Sequence, residues 1–259
     1  MGKRSSIKLN VSAVILFLLS GCGPPELSSD SKLLVGKPTG LLVKQFGAMR
    51  EVMREGKTEA RVRLVDAVDT PHTYAVGALE GLTGEVTIVD GDVWVSRVVE
   101  NGVLQVTGPT PLAEDSATLL TLGHVPHWHQ TTIERSVSGA ELESLIERFA
   151  NAKGVDTDKP FPFRIEGQLT DVELHVINGY CPIATDPAKE NKKPWRKINS
   201  EPVSANVIGF YAPNAVAVMT HHGTSVHAHG IVTVDGRKLI GHVDSVTVEP
   251  GATLFVPKL

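Results

Sequence analysis

Three histidines near the C-terminal end of this chain have the spacing of a metal site. His227-Ala228-His229 opens a strand-like run to Val234, Asp235-Gly236 makes a turn, and a second run carries His242. An Asp-Gly pair between two such runs signals a two-residue hairpin loop, and the register then sets His229 opposite His242. Side chains alternate along a strand, so His227 and His229 share a face, and His242 points the same way from the partner strand. Three neutral nitrogen donors with a fourth position open are the ligand set of a catalytic zinc, whereas a closed structural site takes four protein ligands. A bare His-x-His is common on solvated strands; the register of the third histidine is what points to metal. Asp244 falls opposite His227 in the same register and is expected to orient its free ring nitrogen. His221 and His222, just upstream, are close enough in sequence to line the same pocket and bind substrate. His124, His127 and His129 read as a polar rim, because Pro126 interrupts regular ligand geometry.

The elements that must position this hairpin are legible in outline. Gly40 to Glu55 carries Leu42, Phe46, Met49 and Met53 at helical spacing, with Gly56 as a stop, and predicts a helix with core methionines. Arg61 to Val68 predicts a strand. Val86 to Val89 and Val93 to Val98 around Asp90-Gly91 predict a second hairpin, followed by strands at Val103 to Thr107 and Ala117 to Leu122. Ser138 to Ala152 predicts the best helix, with Ser138 and Glu141 as a capping box and Gly154 as its end. Phe163 to Leu169 and Val172 to Ile177 read as strands, Asp186 to Ser200 as a solvated loop, and Asn206 to the end as further strands. The expected class is α+β, with two sheet-based lobes of mixed or antiparallel strands, two main helices and a lobe boundary near 155–165.

Composition bounds the rest. The chain has 259 residues, 41% of them hydrophobic, and a net charge of −4, so the folded part can bury a large core without staples. Lys3, Arg4 and Lys8, the apolar run Val11 to Leu19, and Leu19-Ser20-Gly21-Cys22 describe a secretory signal over residues 1–21. The pattern resembles bacterial lipoproteins, in which Cys22 would become the acylated first residue; the alternative is an uncleaved membrane anchor. Either way the protein is expected to be exported and tethered to an envelope membrane. Residues 22–38 have linker composition, which starts the fold near Thr39. With Cys22 lipidated, Cys181 is the one remaining thiol, so no intrachain disulfide is expected. No basic patch suggests nucleic acid.

Further along, the residues carry a family likeness. The run His72 to Glu85, closing on Gly84-Glu85 before Val86-Thr87-Ile88-Val89-Asp90-Gly91, is similar to the N-terminal signature of acetolactate decarboxylases. Pro162 to Gly167, Gly209 to Pro213, and the three histidines with Gly241-His242-Val243 resemble later family blocks in the same order, over roughly residues 40 to 257. The resemblance implies a zinc enzyme that converts the hydroxy-keto acid 2-acetolactate to acetoin and carbon dioxide. It implies Glu85 as one of two glutamates beside the metal, with Glu249 the nearest candidate for the other. Where the family carries an arginine that engages the carboxylate or donates a proton, this chain has His175, which faces away from Val172, Leu174 and Val176. Histidine donates a proton near neutral pH but lacks the bidentate fork of arginine. Arg164 is a candidate for compensating substrate binding. A changed reaction on another hydroxy-carbonyl compound, a non-catalytic envelope metal-binding module, and a homodimer all stay open.

Overall fold

The computed structural model describes residues 41–68, 71–109, 114–179 and 193–259. The signal segment, the linker, Cys22 and Cys181 lie outside the described residues. Among those described, no helix is long and apolar enough to cross a membrane.

Two antiparallel sheets build the fold. The first holds β1 (Val43–Phe46), β2 (Val62–Arg63), β3 (Thr73–Leu79), β4 (Glu85–Val89), β5 (Asp92–Val98), β6 (Leu104–Thr107) and β7 (Ser116–His124). Its order is β1-β7-β3-β4-β5-β6, with β2 also on β7. The second holds β8 (Trp128–Thr132), β9 (Val137–Ser138), β10 (Phe161–Val176), β11 (Trp195–Asn199), β12 (Val203–Tyr211), β13 (Val226–Val234), β14 (Arg237–Val248) and β15 (Thr253–Pro257). It runs β8-β15-β10-β12-β13-β14-β9, and β14 pairs back onto β10, so β10, β12, β13 and β14 close on themselves. Helices α1 (Met49–Glu55), α2 (Leu64–Ala67) and α3 (Gly139–Ala152) complete the α+β architecture. The chain passes between sheets from His124 to Trp128, and the 155–165 segment instead leads α3 into β10 within the second sheet.

Strand alternation explains where the cores sit. On β3 every residue is buried, because the strand has a layer on each side. Ala75 and Leu79 join Val86, Ile88 and Leu64 on the outer face. Tyr74 and Val76 meet Ile208 and Phe210 of the second sheet. The largest core lies inside the closed strands, where Phe163, Ile165 and Val207 pack with Leu142 and Ile146 of α3.

Several local expectations are corrected. The helix drawn over Gly40 to Glu55 is a strand followed by a short helix. Val43–Phe46 pairs with β7, and Gly47 then turns at φ +67 so close to Thr118 that a Cβ would lie 2.3 Å from its carbonyl oxygen. The strand over Arg61 to Val68 stops at Arg63, and Leu64–Ala67 coils to bury Leu64 completely. The capping box does not form. Ser138 makes no side-chain cap, Gly139 enters the helix at φ +50, and Glu141 pairs with Arg135. Of the solvated loop, Trp195–Asn199 is β11, which covers the backbone edge of β10 from Val172 to Val176.

The two strands read over 163–177 are one, β10, interrupted by a bulge. Asp171 has φ +47 and the ladder to β14 shifts between Thr170 and Leu174. A bulge re-aims the side chains beyond it. Before it, Phe161, Phe163, Ile165 and Leu169 face the core; after it, Val172 and Leu174 do. His175 therefore faces out of that core, toward the first sheet.

Candidate metal centre and cavity

The predicted register is the observed one: His229 pairs with His242 across the turn at Asp235-Gly236, where φ is +50 and +72. His227, His229 and His242 converge with ring centroids 5.0 to 5.7 Å apart, and one nitrogen from each lies within 4.8 Å of the others. All three are buried, His229 completely. Burial pushes His227 down to about 3 and His229 and His242 well below the usual histidine range, so all three are neutral and keep lone pairs.

Two observations test whether these residues fit a metal. Among the described residues, His227 Nδ1 and His229 Nε2 are buried with no hydrogen-bond partner, although a buried polar atom normally has one. In addition, His229 Nδ1 lies 2.9 Å from Thr87 Oγ1 of the first sheet. With Nδ1 donating there, Nε2 is bare and aimed at the cluster, the arrangement a ligating imidazole takes. Nothing in the sequence could have linked Thr87 to a histidine 142 residues away; only the stacking of the sheets does so.

Glu85, the first residue of β4, comes to this cluster from the opposite sheet. Its Oε2 lies 3.8 Å from His229 Nε2, and its Oε1 accepts from the Ile177 backbone N–H at 3.3 Å. Burial pushes its carboxyl up to about 7, partly offset by His175. The contact with His229 is thus no ion pair. It places a carboxyl that holds or releases a proton near neutral pH next to three unprotonated nitrogens.

His175 sits opposite His242 in the β10–β14 ladder, with ring centroids 4.7 Å apart. Its Nδ1 is 2.8 Å from both oxygens of Asp244. Asp244 was expected beside His227. The β13–β14 ladder, however, ends at His229 and His242, where β14 swings onto β10 and carries Asp244 to His175. His175, His242 and Asp244 form a second cluster of ligand-type atoms, but Asp244 there is already engaged by His175 and Arg196.

Arg196 was not anticipated, because its strand read as loop. It is the cross-strand partner of His175, and its Nη1 lies 3.3 Å from Asp244 and 3.2 Å from Glu173. Trp195-Arg196-Lys197-Ile198-Asn199 has no apolar–polar alternation, so the sequence carried no strand signal there, and the alternation of half-buried Trp195 and Lys197 with exposed Arg196 and Ile198 is seen only in the structure.

Glu85, His175, Arg196, His227, His242 and Asp244 line one cavity of about 460 Å3 between the sheets and the helices, with His229 buried behind them. His221 lines it too, with its ring 5.6 Å from that of His242 and its basicity lowered by burial. Exposed His222 does not, because it points away at the next position of the same turn. Nor do His124, His127 and His129.

Two further expectations are corrected. Arg164 is not in the cavity; its guanidinium is stacked 4.7 to 5.6 Å from the rings of Phe255, Trp128 and Tyr74 and paired with Glu166, and it ties the sheets together. Glu249 lies beyond the far end of β14, seven residues past His242, a span of roughly 20 Å in a strand. There it accepts from Thr170 at 2.5 Å and Ser136 at 2.8 Å.

Comparison with known proteins agrees with this architecture. The alpha-acetolactate decarboxylase of Bacillus subtilis strain 168 superposes with a TM-score of 0.61 at 17% identity, over 83% of this chain and 85% of that one. The acetolactate decarboxylase of Bacillus subtilis subspecies spizizenii gives 0.60 at 18% identity, with the same coverage. A Staphylococcus aureus protein of unknown function, described as similar to alpha-acetolactate decarboxylase, gives 0.58 at 14%, over 82% and 83%. Curated proteins give no significant match. The sequence profile of the family described as Alpha-acetolactate decarboxylase matches residues 51–256, and the chain belongs to that family.

Proposed function

We propose that this protein is a zinc-dependent decarboxylase that converts 2-acetolactate, or a related 2-hydroxy-3-oxo acid, to the hydroxyketone and carbon dioxide. The observation that carries the reading is the buried Glu85 carboxyl, raised to about 7, beside three neutral imidazoles with two unpartnered nitrogens. His227, His229 and His242 would hold the ion, and three neutral nitrogens with an open position suit zinc. When bound, the ion supplies a Lewis acid for the negative charge that develops as carbon dioxide leaves.

The chain's own groups do the rest. Loss of carbon dioxide leaves an electron pair on carbon, which must take a proton, and the buried Glu85 carboxyl, 3.8 Å from His229, is placed to deliver it from Oε2. His175, held through Nδ1 by Asp244, lines the cavity beside the imidazoles and presents its ring to the substrate. Arg196 offers a permanent cation at the mouth for the substrate carboxylate, since both of its contacts use Nη1. Lipidation of Cys22 would tether the enzyme to the bacterial envelope.

The histidine at the place of the family arginine favours a second reading, a lyase or isomerase step on another hydroxy-carbonyl compound at the same site. The deciding experiment is acetoin formation from racemic acetolactate by zinc-loaded protein starting at Gly23, with His227→Ala as control. Metal-dependent acetoin supports the decarboxylase. Silence from folded, zinc-bearing protein refutes acetolactate as substrate and leaves the second reading.

A further inference from the structure

The histidines continue past the three-ligand centre as a row across three strands. His229 on β13 pairs with His242 on β14, and His242 pairs in turn with His175 on β10. Directly paired residues share a face of a sheet, and neighbouring strands lie about 4.8 Å apart. Three imidazoles therefore stand side by side with His242 in the middle, its ring centroid 5.7 Å from that of His229 and 4.7 Å from that of His175. Asp244 joins the row at an irregularity of the ladder. Val243 pairs with Leu174 and Ser245 with Glu173, so Asp244 has no partner of its own on β10, and such a bulge re-aims a side chain. Here it turns the carboxylate onto His175.

One ligand-type atom from each of His175, His242 and Asp244 lies within 4.8 Å of the others. Two imidazole nitrogens and a carboxylate oxygen, with further positions open to the cavity, are a ligand set for a first-row divalent ion. The two histidines are buried and Asp244 is exposed, which gives an ion a way in. The contacts Asp244 already makes leave room for one. A carboxylate has about four lone-pair sites on its two oxygens, and Arg196 takes only Oδ2, at 3.3 Å. His175 Nδ1 is 2.8 Å from both oxygens, and an ion bound by Nδ1 and Oδ1 replaces the proton they share. His242 belongs to this cluster and to the three-histidine centre alike. An imidazole carries a nitrogen on each of two edges, so a ring that gives up its N–H proton can serve an ion on either side.

We propose that the cavity takes up a second divalent transition-metal ion, bound by His175, His242 and Asp244, with the His242 ring between the two ions. The inference rests on the three-histidine centre of the reading above. The second ion is the weaker one and fills after the first, because both the first ion and the Arg196 guanidinium repel it.

The test is equilibrium dialysis of metal-stripped protein against zinc, read as ions bound per chain, with folding of each variant checked by circular dichroism. The wild-type chain should take up two ions, the second roughly tenfold or more weakly than the first. Asp244→Asn, which keeps the shape of the side chain, and His175→Ala should each take up one ion at the first affinity, and His227→Ala should lose the tight ion. Copper(II), which nitrogen sites hold more tightly than zinc, reports on the shared ring. Its paramagnetic resonance signal should grow with the first equivalent and fall with the second, as the two spins couple through His242. A single ion that survives Asp244→Asn and is lost in His227→Ala overturns the inference and leaves the zinc centre standing. A single ion with the opposite dependence, or none at all, overturns the three-histidine centre and the inference with it. Two ions that both survive in folded Asp244→Asn and His175→Ala protein place the second elsewhere, and an undiminished copper signal at two equivalents removes the shared ring; either result overturns the proposal.

Discussion

At the residue scale, the site depends on groups whose burial sets their protonation. Among the described residues Glu85 meets the His229 imidazole and the Ile177 N–H, and its substitution by glutamine keeps the shape while removing the titratable proton. Glu85→Gln should lower turnover by about 100-fold or more with zinc content unchanged; full turnover in that variant would remove Glu85 from the chemistry. Arg196 is the single Arg or Lys among the described residues lining the cavity, and a charged hydrogen bond is worth about 1.5–3 kcal/mol. Arg196→Ala should therefore raise KM by roughly ten- to a hundredfold with a smaller change in kcat, and Arg196→Lys should recover part of it. A fall confined to kcat would assign Arg196 to holding Asp244 rather than to the substrate.

At the element scale, the β13–β14 hairpin carries all three candidate ligands, and its turn sets the register of His229 against His242. Asp235 has φ +50 and Gly236 φ +72, a backbone that proline, locked near −65°, cannot take. Asp235→Pro should lower Tm and abolish stoichiometric zinc binding, whereas Gly236→Ala, with its Cβ in open space, should cost about 1 kcal/mol and keep the zinc. Metal analysis of the two purified variants checks this. Retained zinc in folded Asp235→Pro protein would mean that the turn does not set the register. The β10 bulge has a comparable role, since the extra residue near Asp171 is what sends His175 toward the first sheet.

At the scale of the whole molecule, the site lies where two sheets meet, so a ligand bound there stabilises the fold. Zinc at a hundredfold excess over its Kd should add about 2.7 kcal/mol, or roughly 5–10 °C in Tm for a chain of this size. His229→Ala should show no such rise; an equal rise would place the zinc elsewhere. Glu249, far from the cavity, contributes to stability instead. Hydrogen bonds from Thr170 and Ser136 hold its carboxyl below the usual 4.5. A depressed folded-state pKa means stability that is present above 4.5 and lost as pH falls through the folded value. Glu249→Gln should thus keep its activity and show a Tm deficit at pH 7 that narrows below pH 4.5. A large loss of activity would return Glu249 to the site.

The residues themselves determined the metal hairpin, since an Asp-Gly turn sets a register and strand alternation sets a face, and both are local rules. They also carried the family likeness, the hairpin at Asp90-Gly91 and the helix over Ser138 to Ala152. Local rules failed where backbone pairing or a single left-handed residue intervened. Phe46 kept its helical spacing but was drawn into a strand by β7, and Gly139 undid a capping box that the sequence spelled correctly. Asp244 followed the hairpin register on paper, yet β14 leaves β13 after His242 to pair with β10. Only the tertiary structure placed Thr87 on His229 and Arg196 against Asp244, whereas the family likeness already implied Glu85 beside the metal. Those contacts join residues far apart in the chain across strand pairings and between stacked sheets, and no periodicity within one segment records them.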